Sequence, residues 1–178
     1  MWHMDGNRVG MFFGDTSGEG FVVNKNGGNG SNWRSNVLAF FIGYRAYRTV
    51  LKIDSMLLDA DGKALEVCAG GKTNPEVYQT SIPTSAIRAG KTDCVHIMNI
   101  YDWGAPHGRW LTNFSSVYTS NDDGRTWERR EEVTFSPTVI FRKWLMPNVT
   151  DGFICSAHRP DVVMLRIWRV SLRKIFWI

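Results

Sequence analysis

The chain has 178 residues, enough to bury one sizeable core, so a single domain is expected. With 43% hydrophobic and 21% charged residues it is globular and not disordered, and a net charge of +4, scattered except near the C-terminus, argues against a nucleic-acid partner. No basic stretch followed by an apolar run opens the sequence and no apolar run reaches the roughly 18 residues of a membrane span, so neither a signal peptide nor stable membrane insertion is expected.

The first turn signature is Asp5-Gly6-Asn7, followed by a strand over Arg8 to Phe13 that ends in Gly14-Asp15-Thr16. A carboxylate just past a buried strand sits where loops carry sites, although Asp15 capping its own turn accounts for the same residues. Residues 17–32 carry five glycines and four asparagines without matching a phosphate-binding loop, and read as a rim loop or the lip of a cleft. Trp33-Arg34-Ser35-Asn36 then opens the apolar strand Val37 to Ile42. An aromatic ring, a guanidinium and an amide at a strand entrance suit recognition of a polyol. Trp33 as core and Arg34 paired to a carboxylate fit equally well.

A strand over Thr49 to Leu57 turns back at Asp59-Ala60-Asp61-Gly62-Lys63 into Lys63 to Val67. This Asp-Gly turn lacks the further ligands of a calcium loop and reads as a hairpin. Asp93 to Tyr101 alternates between two apolar faces, as a buried middle strand does, and His96 within it reads as a core histidine. The four histidines show no ligand spacing, so no metal and no cofactor is expected. Cys68, Cys94 and Cys155 are odd in number and carry no CxxC spacing, so they leave the compartment, and with it the localisation, open.

Ser120-Asn121-Asp122-Asp123-Gly124-Arg125-Thr126-Trp127 fits Ser-x-Asp-x-Gly-x-Thr-Trp, the Asp-box of sialidase-like β-propellers, at every specified position. The spacing predicts a hairpin: carboxylates accept from free backbone N–H groups, Gly124 supplies positive φ, and Trp127 packs inward at the start of the next strand. Strands are expected over Asn113 to Thr119 and Trp127 to Thr134. An Asp-box is a staple and carries no chemistry itself. Short strands between turn signals, with no convincing amphipathic helix before residue 137, give an all-β chain, and the 13% aromatic content, with 8 Trp, suits an all-β or sugar-binding protein.

Met11 to Thr16, Trp33 to Ala39, Ile82-Pro83-Thr84, Asp102-Trp103-Gly104, Gly108 to Asn113 and the Asp-box occur in one order. In that order the chain, over roughly residues 5–135, resembles the endo-D-arabinanase-type glycoside hydrolase family, long catalogued as a domain of unknown function. The resemblance implies a five-bladed β-propeller, here partial, with a sugar cleft at one end and a retaining mechanism using two aspartates. One carboxylate attacks the anomeric carbon, while the other protonates the leaving oxygen and later activates water. By resemblance Asp15 is the catalytic nucleophile. Trp33, Arg34, Asn36, Asp102, Trp103, Arg109 and Asn113 line the cleft, and the partner is an arabinan-like polysaccharide.

Two departures shape the expected activity. The family's second, upstream carboxylate falls before Met1 in this numbering, and Asp5 sits in a turn. Residues 136–178 carry little of the family's later pattern and end in a basic, apolar stretch. The domain reading is therefore a partial propeller over 1–135 followed by a diverged or mis-terminated tail over 136–178. The function expected is that of a truncated, impaired or inactive arabinan hydrolase, with self-association through exposed sheet edges. A non-catalytic carbohydrate-binding or interaction propeller, and a gene fragment without its own function, are the alternatives.

Overall fold

The computed structural model describes residues 1–23, 28–42, 52–72, 75–102, 110–136, 148–149, 152–155, 168–171 and 174–175. Among them every regular element is a β-strand. The first sheet holds β1 (Trp2–His3), β2 (Arg8–Thr16), β3 (Arg34–Ile42) and β4 (Ser55–Met56), in that order and antiparallel. The second holds β5 (Thr80–Ala89), β6 (Thr92–Asp102), β7 (Leu111–Ser120) and β8 (Glu128–Phe135), again as an antiparallel meander. Short strands β9 (Asn148–Val149), β10 (Gly152–Cys155), β11 (Trp168–Ser171) and β12 (Lys174–Ile175) pair antiparallel among themselves. The chain is all-β.

Strand β3 is buried on both faces from Arg34 to Phe41, which its continuous apolar run Val37 to Phe41 requires. β6 is buried from Asp93 to Ile100 and is the inner strand between β5 and β7. β5 was not foreseen from the sequence, where Pro83 and flanking serines and threonines break the apolar pattern. It forms because the register shifts between Pro83 and Ser85, so the proline, which has no N–H to donate, falls at an irregularity. Gly90, at φ +62°, takes the first position of the two-residue loop to β6. On the other side of the first sheet, the expected return strand Lys63 to Val67 is only an isolated bridge, Leu58 to Ala64. The turn before it is as read: Asp59 N donates to Lys63 O at 2.7 Å and Lys63 N to Asp59 Oδ1 at 2.9 Å, with Gly62 at φ +72°.

The two sheets share one core. Trp2, Met4, Leu38 and Phe40 of the first meet Ala86 and Trp127 of the second, and Val95, Ile97 and Tyr118 of the second meet Phe12. Val67 and Cys68, from the connection after β4, fill the space between. Trp2 stacks on Phe12 at 5.6 Å between ring centroids, and Trp127 meets both rings edge-on, at 6.1 and 5.2 Å. The Trp2 ring lies directly over Gly10, where no Cβ would fit.

Strand direction then separates two ends. One end carries the Asp5–Asn7 turn, the β5–β6 loop and the Asp-box. Asp122 Oδ1 accepts from Ser120 Oγ at 2.7 Å, Arg125 N at 3.0 Å and Thr126 N at 2.9 Å, and Oδ2 accepts from Thr126 Oγ1 at 2.6 Å. Burial raises the Asp122 carboxyl, but these four donors outweigh it and hold the group at about 2. Arg88 ties the box to the sheet, reaching Asp93 at 2.9 Å and Asp123 at 3.1 Å. The opposite end gathers the finish of β2 and β6 and the start of β3, β5 and β7.

Candidate functional site

At that opposite end, β2 closes on Gly14-Asp15-Thr16. Gly14 packs against Ile82 and Pro83 of β5, which brings the second sheet alongside. Asp15 then turns to φ +38°, a conformation open to Asp and Asn and costly for most other residues. The β2–β3 ladder pairs Gly14 with Asn36 and Thr16 with Arg34 on either side of it. The Asp15 carboxyl accepts from Thr80 Oγ1 at 2.7 Å, and the Trp33 side chain is a second group that acts on it. Although Asp15 as a residue is open to solvent, the protein crowds its carboxyl enough that burial raises its proton affinity above the ordinary aspartate value. Thr80 and Trp33 oppose that rise by favouring the ionised form.

The sequence-predicted site residues divide by position. Trp33 acts on the Asp15 carboxyl, lowering its proton affinity. Arg34, 2% exposed, pairs with Asp59 Oδ2 at 3.2 Å and donates to Trp33 O at 3.1 Å, the pairing held open at its sequence reading. It also forms a wall of a hollow of about 180 Å³ with Thr16, Ser17, Asn32 and Lys63. Asn36 is fully buried. Its Nδ2 donates to Cys68 O at 3.0 Å and Ser81 O at 3.2 Å, and its Oδ1 accepts from Cys68 N at 2.8 Å, so the amide braces β3, the connection and β5. Asp102 ends β6, and Asn113 lies where the β6–β7 register shifts, between the Thr112 and Phe114 pairings, at the same end as Asp15. Trp103 and Arg109 lie outside the described residues.

Residues 17–23 and 28–31 pair with one another and do not form an open loop. Val22 and Asn29 exchange both backbone bonds, at 2.7 and 2.9 Å, Gly18 N donates to Ser31 O at 2.7 Å, and Ser31 Oγ donates to Glu19 O at 2.6 Å. The hairpin holds Phe21, Val22 and Val23 in solvent at 51, 66 and 75% exposure. Tyr101 and Trp110 are exposed on the β6–β7 side of the same end. Exposed apolar side chains thus occur on both the β2–β3 and the β6–β7 connections at this end.

Two further carboxylates, Asp5 and Glu66, sit elsewhere. Asp5 is at the Asp-box end, 3.9 Å from Arg88. Glu66 is buried, and its Oε1 accepts from Ser35 N at 2.9 Å, from Ser35 Oγ, and from Lys72 N at 3.4 Å. His96 is fully buried with Nδ1 2.6 Å from Thr84 Oγ1, and burial lowers it to about 3, as suits a core histidine. No group of three or more His, Cys, Asp or Glu among the described residues is arranged to hold a metal. Cys68 and Cys94 are free, buried thiols, and burial pushes Cys94 up to about 12, so it is inert at neutral pH.

Sequence reasoning missed Thr80 and Gly71. Thr80 is 1% exposed and opens β5. A Cβ at Gly71 would collide with Gln79 O and come within 2.8 Å of the tip of the Trp33 ring. The signal for Thr80 lay in a polar Gln79-Thr80-Ser81 run ahead of Pro83, which reads as loop until β5 is known.

No curated protein matches the chain. The family model described as Domain of unknown function (DUF4185) matches residues 1–165, so the chain belongs to the DUF4185 family.

Proposed function

We propose that this chain is a partial β-propeller related to arabinan-cleaving glycoside hydrolases, with Asp15 as the inherited nucleophile and impaired cleavage. The propeller reading is supported by two consecutive four-stranded meanders that pack face to face, with the Asp-box joining the third and fourth strands of the second. The single observation that carries the site is the Asp15 carboxyl, held by Thr80 and Trp33 at an end flanked by exposed aromatic rings. Flat rings stack on sugar faces, and two donors favour the ionised carboxylate that attack on an anomeric carbon needs. Trp33, Asp102 and Asn113, with Trp103 and Arg109, are the polysaccharide contacts proposed.

Retaining hydrolysis needs a second carboxyl group about 5 Å away. The Asp15 carboxyl's partners among the described residues are a threonine and a tryptophan. Without general acid help the rate falls by roughly 10² to 10⁴. Incubation with mycobacterial arabinogalactan beside an Asp15→Asn variant tests this. Binding by both proteins with no released oligosaccharide is the outcome expected. Robust release that Asp15→Asn abolishes would overturn the impairment and point to Glu19 or Asp102 as acid/base. Release that Asp15→Asn leaves intact, or no binding by either protein, would remove the reading itself.

A further inference from the structure

We propose that Thr80 and Trp33 form a two-donor cradle that positions the Asp15 carboxylate, and that the absence of a side chain at Gly71 is what lets the cradle close. The assignment rests on Asp15 being the reactive group.

The two donors come from different sheets. Trp33 immediately precedes β3, on the same hairpin as Asp15, while Thr80 is the first residue of β5. Thr80 is fixed twice over: it pairs with Ile100 in the β5–β6 ladder, and the preceding Gln79 N donates to Ile100 O at 2.9 Å. Its hydroxyl is therefore delivered to Asp15 Oδ1 from a rigid base, in a side chain with 1% exposure. A buried β-branched residue at a strand start needs no hydroxyl for packing, since valine has the same shape. This hydroxyl reaches a carboxylate 65 residues away in sequence.

Asp15 needs such support because nothing in its own backbone supplies it. At φ +38° it leaves the regular strand conformation between two paired neighbours. A side chain on such a residue keeps one orientation only when neighbours hold it.

Gly71 is where the supports of the two donors touch. A Cβ there meets the carbonyl of Gln79, next to Thr80, and Cη2 of Trp33. Its φ is not in the left-handed region, so glycine is required by space and not by conformation. An alanine must push the Gln79 backbone or the indole away, and each movement withdraws a donor from Asp15. Thr80 and Trp33 are thus positioning residues acting through Asp15, and Gly71 acts through them.

The test is made on the full chain by carbon NMR titration of the Asp15 carboxyl, with the Trp33 indole N–H resonance as a second probe. Thr80→Val removes a donor that favours the ionised form, so Asp15 titrates higher, by about half a pH unit or more. Thr80→Ser keeps the hydroxyl and restores the original titration. Gly71→Ala moves the Trp33 indole resonance and raises the Asp15 titration together. An Asp15 titration unmoved by Thr80→Val in a folded protein, or not restored by Thr80→Ser, overturns the cradle. Should Thr80→Val fail to fold, Trp33→Phe removes the other donor, and an unmoved titration there overturns it equally. Failure of the functional reading shows separately, as polysaccharide binding or release indifferent to Asp15→Asn while the titrations still shift.

Discussion

The indole of Trp2 donates to Asp93 Oδ1 at 2.9 Å, joining two residues 91 positions apart and the first strand to the second sheet. Asp93 is fully buried. Burial raises its carboxyl, against the lowering by the Trp2 bond and by Arg88 at 2.9 Å. Trp2→Phe keeps a ring to stack on Phe12 but leaves a buried acceptor short of one donor. The expected loss is about 1–3 kcal/mol, measured by urea unfolding. A change within error would show that Arg88 alone satisfies Asp93.

Gly10→Ala tests the same clasp from below. The Trp2 ring occupies the space an added methyl needs, so the ring must lift from Gly10 and Phe12. Destabilisation of about 1–3 kcal/mol is expected, with a shift in tryptophan fluorescence. Unchanged emission and stability would show that the ring has room to move.

Asp122→Ala removes the acceptor of four bonds in the Asp-box turn. A loss of about 1 kcal/mol is expected, in line with losing a side-chain cap. Because the box lies at the end away from Asp15, polysaccharide affinity is expected to stay the same. The Asp122 carboxyl is depressed to about 2, below the unfolded value of roughly 3.9. Its contribution is present above pH 4 or so and is lost as pH falls through about 2, with the magnitude reduced by solvent because the side chain is near the surface. Chemical unfolding of both proteins between pH 5 and 2, roughly bracketing that window, checks it: the two curves should converge at the acid end.

His96 carries the opposite kind of group with the same outward sign. Burial holds it neutral to about pH 3, whereas an unfolded histidine takes up a proton near 6.5. Between those values the unfolded state binds more protons, so stability falls as pH drops through that window. The slope is at most about 1.4 kcal/mol per pH unit. His96→Asn, which keeps a polar partner for Thr84, should flatten the dependence in denaturant midpoints measured from pH 7 to 4. A slope as steep as in the unaltered protein would assign it to another group.

Asp15→Asn bears on stability as well as on activity. Burial raises the Asp15 carboxyl, so the folded state disfavours its charge, and that penalty is felt above the unfolded pKa and vanishes as pH falls below it. Asparagine tolerates positive φ and carries no charge. The melting temperature at neutral pH is expected to rise or hold, because the substitution removes a charge that burial disfavours. A drop of several degrees would make Asp15 a structural cap.

What was legible in the sequence was the local part. The Asp-box turn, the Asp59 turn and the central strands around Val37 to Phe41 and Asp93 to Ile100 each follow from spacing and alternation, and each is present. β5 was not legible because Pro83 argues against a strand and the bulge that accommodates it leaves no composition signal. The pairing of 17–23 with 28–31 was hidden for a similar reason. Glycine and asparagine suggest a free loop, while here glycine at 28 and 30 makes room for Phe21, and no Cβ would fit at Gly28. Asp15 was singled out in the sequence by its resemblance and its place at a strand end, and it does lie at the end of β2. Thr80 was not, because its partner lies 65 residues away and only sheet packing brings them together. Arg34 and Asn36 had partners the sequence could suggest by type but not name: Asp59 for one, the Cys68 and Ser81 backbone for the other.

The meander order of the strands has a consequence for how the chain folds. Within the sheets, β2 pairs β3, β5 pairs β6 and β6 pairs β7, each with its neighbour in sequence, so these pairings can nucleate early. The bonds between sheets, Trp2 to Asp93 and Thr80 to Asp15, span 91 and 65 positions and form only when two preformed sheets dock. Docking is thus the late step, and the Asp15 surroundings are completed by it. Substitutions at Thr80 or Trp2 should then speed unfolding more than they slow folding, the kinetic signature of contacts absent from the transition state.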